Sequence, residues 1–194
     1  MASRWLRSLL LPLVLAGCAV GQDARITVPP HQPGAGPSAL ATTPRRVAVA
    51  PFREPGGPIG RLGERRTVGE ISLGMVDVTP SPGRLVADAF GAELRAAGHA
   101  VGEGGEAMLS GEIRRFQLRT DVTLLYWDVV VEAEVAAALR RGTAAGESTY
   151  AARCAERTYV YPSAAIVQGL VVRCVADLAG QFRADRTMAR VLQP

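Results

Sequence analysis

The sequence predicts an α+β domain in which a mainly antiparallel sheet packs one face against two helices. Residues 128–141 alternate between apolar and polar side chains, as expected for a strand with one face in water. The segments 85–97 and 167–182 instead repeat apolar residues at helical spacing. In order, the elements read as strands, a helix, a short strand, a three-stranded meander and a helix.

The chain begins with the features of a signal peptide over residues 1–17. Arg4 and Arg7 supply positive charge, residues 9–15 form a short apolar run, and two small residues precede Cys18. That run is too short to cross a hydrocarbon core, which needs about 20 residues. The order Leu-Ala-Gly-Cys resembles the bacterial lipobox, in which the cysteine receives a diacylglyceryl group and the peptide is cut before it. The alternative is an ordinary secretory signal.

The lipobox resemblance implies three acyl chains on Cys18, and two or more chains anchor a protein stably. The membrane is therefore an expected partner through Cys18. Residue 19 is alanine, not the aspartate that favours inner-membrane retention in enterobacterial lipoproteins. The implied location is the periplasmic face of the outer membrane, in preference to the inner membrane.

Residues 18–44 predict a lipidated N-terminus and a tether rich in proline and glycine. This composition buries too little apolar surface to fold, and its prolines favour extended backbone. We expect the tether to lift one periplasmic domain, residues 45–194, clear of the membrane.

The folded domain opens with a buried strand over residues 47–52, which a proline ends. A loop rich in glycine and arginine follows, and its length predicts a functional or mobile segment over residues 55–68. Arg61, Arg65 and Arg66 are its charges and form a candidate contact for an anionic partner. Residues 71–78 read as a second strand.

The segment from Leu85 to Ala97 predicts an amphipathic helix that Gly98 ends. A brief strand follows at residues 100–101. Residues 108–120 alternate with a slip of one position, because the apolar residues before and after Arg114 lie in opposite phase. A bulge near Arg114 and Arg115 would restore the register.

Residues 148–159 return beside the strand 128–141, and a helix capped near Ser163 ends the domain. Cys154 and Cys174 lie on the apolar sides of these two elements. An even pair in an oxidising compartment is a disulfide candidate, and two buried free cysteines are the alternative.

The sequence offers little for catalysis. The chain has two histidines, and neither accompanies cysteines or carboxylates at metal-ligand spacing, so no metal, cofactor or catalytic residue is predicted. Glu132 and Glu134 point the same way, but they fit the wet face of a strand. The net charge of +4 falls to about +2 without the signal peptide and does not indicate a nucleic-acid partner. We expect a protein that is not an enzyme.

The layout resembles the YajG family of bacterial lipoproteins and, more loosely, the auxiliary lipoproteins of lipid-transport ABC systems. The resemblance rests on the lipobox, the tether, the strand 47–52, the glycine at position 60, the helix 85–98 and the late helix from Ser163. The Cys154 and Cys174 pair departs from the family. The resemblance implies location and fold better than it implies an activity.

Two functions remain open. The first is a binding or accessory module for a cell-envelope assembly, with an envelope protein as its partner. The second is a carrier of a hydrophobic lipid or glycolipid, which needs an apolar cavity of several hundred Å³.

Overall fold

The computed structural model describes residues 23–54, 60–67, 69 and 71–194. The predicted signal peptide and Cys18 therefore lie outside the described residues. The elements, in chain order, are β1 (Ala24–Thr27), β2 (Arg46–Val49), β3 (Arg61–Arg66), β4 (Ser72–Thr79), α1 (Pro82–Ala96), β5 (Ala100–Val101), β6 (Ala107–Val122), β7 (Trp127–Arg141), β8 (Ala144–Thr158), α2 (Ala164–Arg183) and α3 (Arg186–Leu192).

The main sheet has the strand order β5-β2-β6-β7-β8. Strands β6, β7 and β8 form the predicted antiparallel meander, while β2 runs parallel to both of its neighbours. The register of β6 against β7 shifts between Ile113 and Arg115, so the predicted bulge is confirmed. The α+β fold class is confirmed as well.

The three helices pack on one face of this sheet. The rings of Phe90 in α1 and Phe182 in α2 stack with centroids 4.3 Å apart, and Tyr150 of β8 meets Phe90 edge-on at 5.5 Å. These aromatic side chains lie at the centre of the core, where Phe90 and Phe182 are fully buried. Helix α2 is long and apolar enough to cross a membrane by length and composition alone, but its apolar side lies in this core.

Helix α3, which the sequence did not predict, is held by the carboxylate of Asp185. This carboxylate caps the helix by accepting from the backbone N–H groups of Thr187 and Met188, and it accepts the Tyr150 hydroxyl at 2.7 Å. Burial raises the pKa of Asp185, but hydrogen bonds from Ser148, Tyr150 and the two backbone groups outweigh burial, so the pKa lies below its usual value. Burial and the same carboxylate raise the pKa of Tyr150.

A second sheet has the order β1-β4-β3, and its strand β3 crosses the outer half of β6. The prediction of a loop across residues 61–66 was therefore wrong. Gly63 has φ +150°, and a Cβ placed there would lie 2.6 Å from the Leu118 carbonyl oxygen of β6. Glycine here permits a close strand crossing, whereas the sequence pattern alone suggested a turn. Residues 55–59 and Val68 lie outside the described residues.

The free tether predicted for residues 18–44 was also wrong over its described part, residues 23–44. Strand β1 pairs in parallel with β4, and Leu40 is fully buried. His31 bonds the buried carboxylate of Glu93 at 2.8 Å. His99 bonds the Leu40 carbonyl through Nε2 and accepts the Arg45 N–H at Nδ1. These single, widely spaced contacts hold a segment that has no periodic apolar pattern.

Candidate functional site

The face of β6, β7 and β8 opposite the helices presents outward side chains from three long, paired strands. Along β7, residues such as Val131, Val135 and Leu139 point into the core and are fully buried. The alternate residues point outward and pair across the strands with the outward residues of β6 and β8. We call this surface the sheet face. Charged side chains lie at its middle, around Glu132, and small side chains such as Ala136 and Ala138 lie toward the β7–β8 turn.

Glu132 lies at the centre of the charged part. Its carboxylate accepts the Gln117 side-chain amide at 3.1 Å and lies 3.7 Å from Arg115 and 3.6 Å from Arg153. The neighbouring glutamate on the same strand, residue 134, lies 3.6 Å from Arg114. Each carboxylate thus lies within 4 Å of at least one arginine guanidinium.

The next charge along the sheet face is a bidentate pair between Asp128 and Arg157. Both of its hydrogen bonds are 2.8 Å long, and the guanidinium lies 3.8 Å from the ring centroid of Tyr126. The hydrogen bond from Arg157 lowers the pKa of Asp128. The arrangement keeps this carboxylate charged and arginine-bound, which suits polar recognition better than proton transfer.

Beyond the charges, the sheet face forms a shallow groove of about 500 Å³. The floor of the groove is formed by small side chains, those of Ser110, Ala136 and Ala138. The side chains of Arg53 and Glu147 lie at its sides. Small side chains in the middle of long strands leave backbone accessible to a ligand or a partner chain.

A second concavity lies between α1 and strands β2 and β5 of the main sheet and has a volume of about 430 Å³. Val49, Val101 and Met108 give it an apolar lining, and Arg95 stands at its rim. A Cβ on Gly91 would lie 3.6 Å from Val101, so the absence of a side chain at this helical position keeps the cleft open. We call it the α1 cleft.

The three arginines predicted as an anionic contact do not form one open cluster. Arg61 and Arg66 lie beside carboxylates, at 3.9 and 3.1 Å. Arg65 is buried, donates to the main-chain carbonyl of Leu73 at 3.3 Å and lies 5.2 Å from a tyrosine ring centroid. All three lie on strand β3, whose register against β4 shifts twice between Arg61 and Arg66, and only Arg65 of the three is buried.

The structure joins Cys154 of β8 to Cys174 of α2 in a disulfide, with the Cα atoms 5.7 Å apart. The bridge ties the edge strand of the main sheet to the helix that covers it. Within the described residues, no three histidine, cysteine or acidic side chains come together in a way that could hold a metal ion.

Sequence reasoning missed the groove and the α1 cleft. Runs of alanine in β7 are the one signal for the groove, because small outward residues leave a strand without side-chain cover. The cleft depends on how α1 sits against β2, and no local pattern carries that information.

Comparisons with known proteins support the fold alone. No protein-family model matches the sequence, and no curated protein does. The structure of protein XCC0632 from Xanthomonas campestris, of the family DUF330, is 15% identical with a TM-score of 0.55, covering 87% of this chain and 96% of that one. An uncharacterized protein is 11% identical with a TM-score of 0.53, covering 84% and 97%. Lipoprotein GNA1162 from Neisseria meningitidis is 17% identical, covering 71% and 99%, but its TM-score is only 0.35.

Proposed function

We propose that this protein is a periplasmic lipoprotein, anchored through Cys18 to the outer membrane, that serves a cell-envelope assembly as a binding or accessory module and not as an enzyme. The lipobox-like sequence supports the anchor, and Ala19 supports the outer membrane. The disulfide between Cys154 and Cys174 suits an oxidising compartment. The resemblance to the YajG family suits the same location and remains a prediction.

The sheet face is the observation that carries the binding role. Three strands of 15 or 16 residues at about 3.3 Å per residue and 4.8 Å apart span roughly 50 Å by 14 Å. The resulting area of about 700 Å² is close to the roughly 800 Å² that each partner contributes to an ordinary protein interface. Its carboxylates are held by arginines, so a partner meets a surface already organised for polar contacts.

A photo-crosslinking amino acid at Ala138 tests the binding role, with the same amino acid at Ala165 on the exposed side of α2 as the control. We expect one discrete envelope protein to be captured in cells from position 138 and not from position 165. A second substitution, Ala136→Arg, places bulk and charge on the floor of the groove. It should block capture from position 138 while leaving the melting temperature unchanged. Equal capture from both positions would end the proposal.

The anchor has its own test. Replacing Cys18 by serine should abolish the incorporation of labelled palmitate and leave an uncleaved precursor. The matched control is Ala19→Ser, which keeps the thiol and should be labelled as the wild type is. Labelling of the Cys18→Ser chain at the wild-type level would overturn the lipoprotein assignment.

The α1 cleft favours a second candidate function, the carriage of a lipid or glycolipid. Its volume of about 430 Å³ falls within the range of small-molecule sites, and its apolar lining with Arg95 at the rim suits an acyl chain with an anionic head. A fluorescent fatty acid should bind the wild type, and Gly91→Leu should weaken its binding by filling the cleft. Absence of saturable binding to the wild type would exclude a carrier of this kind.

A further inference from the structure

One end of the molecule gathers exposed apolar side chains from three separate connections. Among the described residues, most of the large apolar side chains that are exposed lie at this end. Leu124 and Leu125, in the β6–β7 turn, are 90% and 77% exposed. Tyr159 and Val160 follow β8, and Ile71 precedes β4. We call these five residues the apolar tip.

Contacts between the connections place them together. The rings of Tyr126 and Tyr159 lie 6.4 Å apart, which brings the β6–β7 turn beside the segment that follows β8. The hydroxyl of Tyr161, in that same segment, donates to the main-chain carbonyl of Leu73 at 3.3 Å. This bond brings in the start of β4, two residues after Ile71. The tip is thus one surface at one end of the fold.

The anchored end of the chain enters the domain on the same side. Strand β1 runs parallel to β4 and so points away from the tip, with its first residues nearest to it. Asp23 accepts the backbone N–H of Met75, about 10 Å along β4 from Ser72. The chain from Cys18 to Asp23 spans at most about 18 Å when extended.

We propose that the apolar tip docks into the lipid leaflet that holds the acyl chains of Cys18; this rests on the lipid anchor of the proposed function. The short connection keeps the tip within reach of that leaflet, so the domain lies against the membrane. Leucines beside tyrosines suit the boundary between acyl chains and headgroups. A nearby arginine is paired, with Arg119 3.4 Å from Asp121, so docking depends on apolar contact more than on anionic lipid.

The test uses the mature lipidated protein in vesicles of phosphatidylethanolamine and phosphatidylglycerol. One variant, Leu124→Cys, carries an environment-sensitive fluorophore at the tip. The matched control, Thr143→Cys, carries it in the β7–β8 turn at the opposite end of the meander, where Thr143 is exposed and lies outside the α1 cleft. We expect nitroxide-labelled lipids to quench the fluorophore at 124 about threefold more than that at 143, because docked apolar residues lie about 5–10 Å deep.

Equal quenching at both positions, with acyl chains present on Cys18 by mass spectrometry, overturns the docking proposal alone. Absence of acyl chains in the same preparation overturns the anchor and the docking together. A fluorophore at 124 that lies in an apolar environment but resists lipid quenching is covered by protein, such as a second copy, and also overturns the proposal.

Discussion

Replacing Gly63 by alanine tests whether β3 is a strand that crosses β6 closely. The backbone at Gly63 has φ +150°, which a residue with a side chain adopts at a cost of about 1–3 kcal/mol. The new Cβ would also lie 2.6 Å from the Leu118 carbonyl oxygen, which belongs to the backbone of the sheet and cannot turn away. Overpacking of this kind costs a further 1–3 kcal/mol, roughly.

Gly36→Ala is the matched control, because Gly36 has φ +108° but open space around the position that a Cβ would take. It should lose only the backbone penalty of about 1–3 kcal/mol that both positions share. Urea denaturation of both variants measures the free energy of unfolding, and Gly63→Ala should lose at least about 1 kcal/mol more than the control. Equal losses would refute the close crossing and restore the mobile loop that the sequence suggests.

Three further predictions concern other parts of the fold. Replacing Cys154 and Cys174 by serine should lower the free energy of unfolding by about 3 kcal/mol, because the bridge closes a loop of about 20 residues; thiol counting on the unreduced wild type should find neither residue free. The pKa of Asp185 is lower in the folded protein than in the unfolded chain, where it is about 4, so the ionised carboxylate stabilises the fold at pH values above about 4. This stabilisation is lost as the pH falls through the pKa of the folded state. Asp185→Asn should remove this acid dependence and cost about 1 kcal/mol at neutral pH in urea denaturation, because an amide can cap the helix but loses the charge-assisted bond. Arg65→Ala should destabilise the domain measurably in the same assay, while Arg61→Ala should not, because only Arg65 is buried.

The elements that the sequence predicted are those whose own side chains carry a strong period. Strand β7 buries every second residue from Val129 to Leu139, and the reversal of phase in β6 between Ile113 and Phe116 revealed its bulge. Helix α2 presents an apolar stripe along its length. In each case, the apolar residues recur at the period of the element, so the local sequence indicates which side is buried.

The elements that the sequence missed depend on distant partners. Strand β1 is four residues long and is held by β4, far along the chain. Strand β3 contains glycine and three arginines, and it becomes a strand by pairing with β4 and crossing β6. Short segments without a period leave no local signal, so tertiary contacts decide their structure. The groove and the α1 cleft were missed for the same reason.

The path of β1 has a mechanical consequence for the anchor proposed at Cys18. A load on Cys18 enters the described domain at Asp23 and runs along β1, whose backbone bonds to β4 are then strained in shear as a group. The Gln168 side chain holds the far end of the strand by donating to the Thr27 carbonyl at 2.6 Å. Beyond it, the contact of His31 with the buried carboxylate of α1 ties down the next segment. With the proposed anchor, force from the membrane would therefore be spread over the second sheet and two helices.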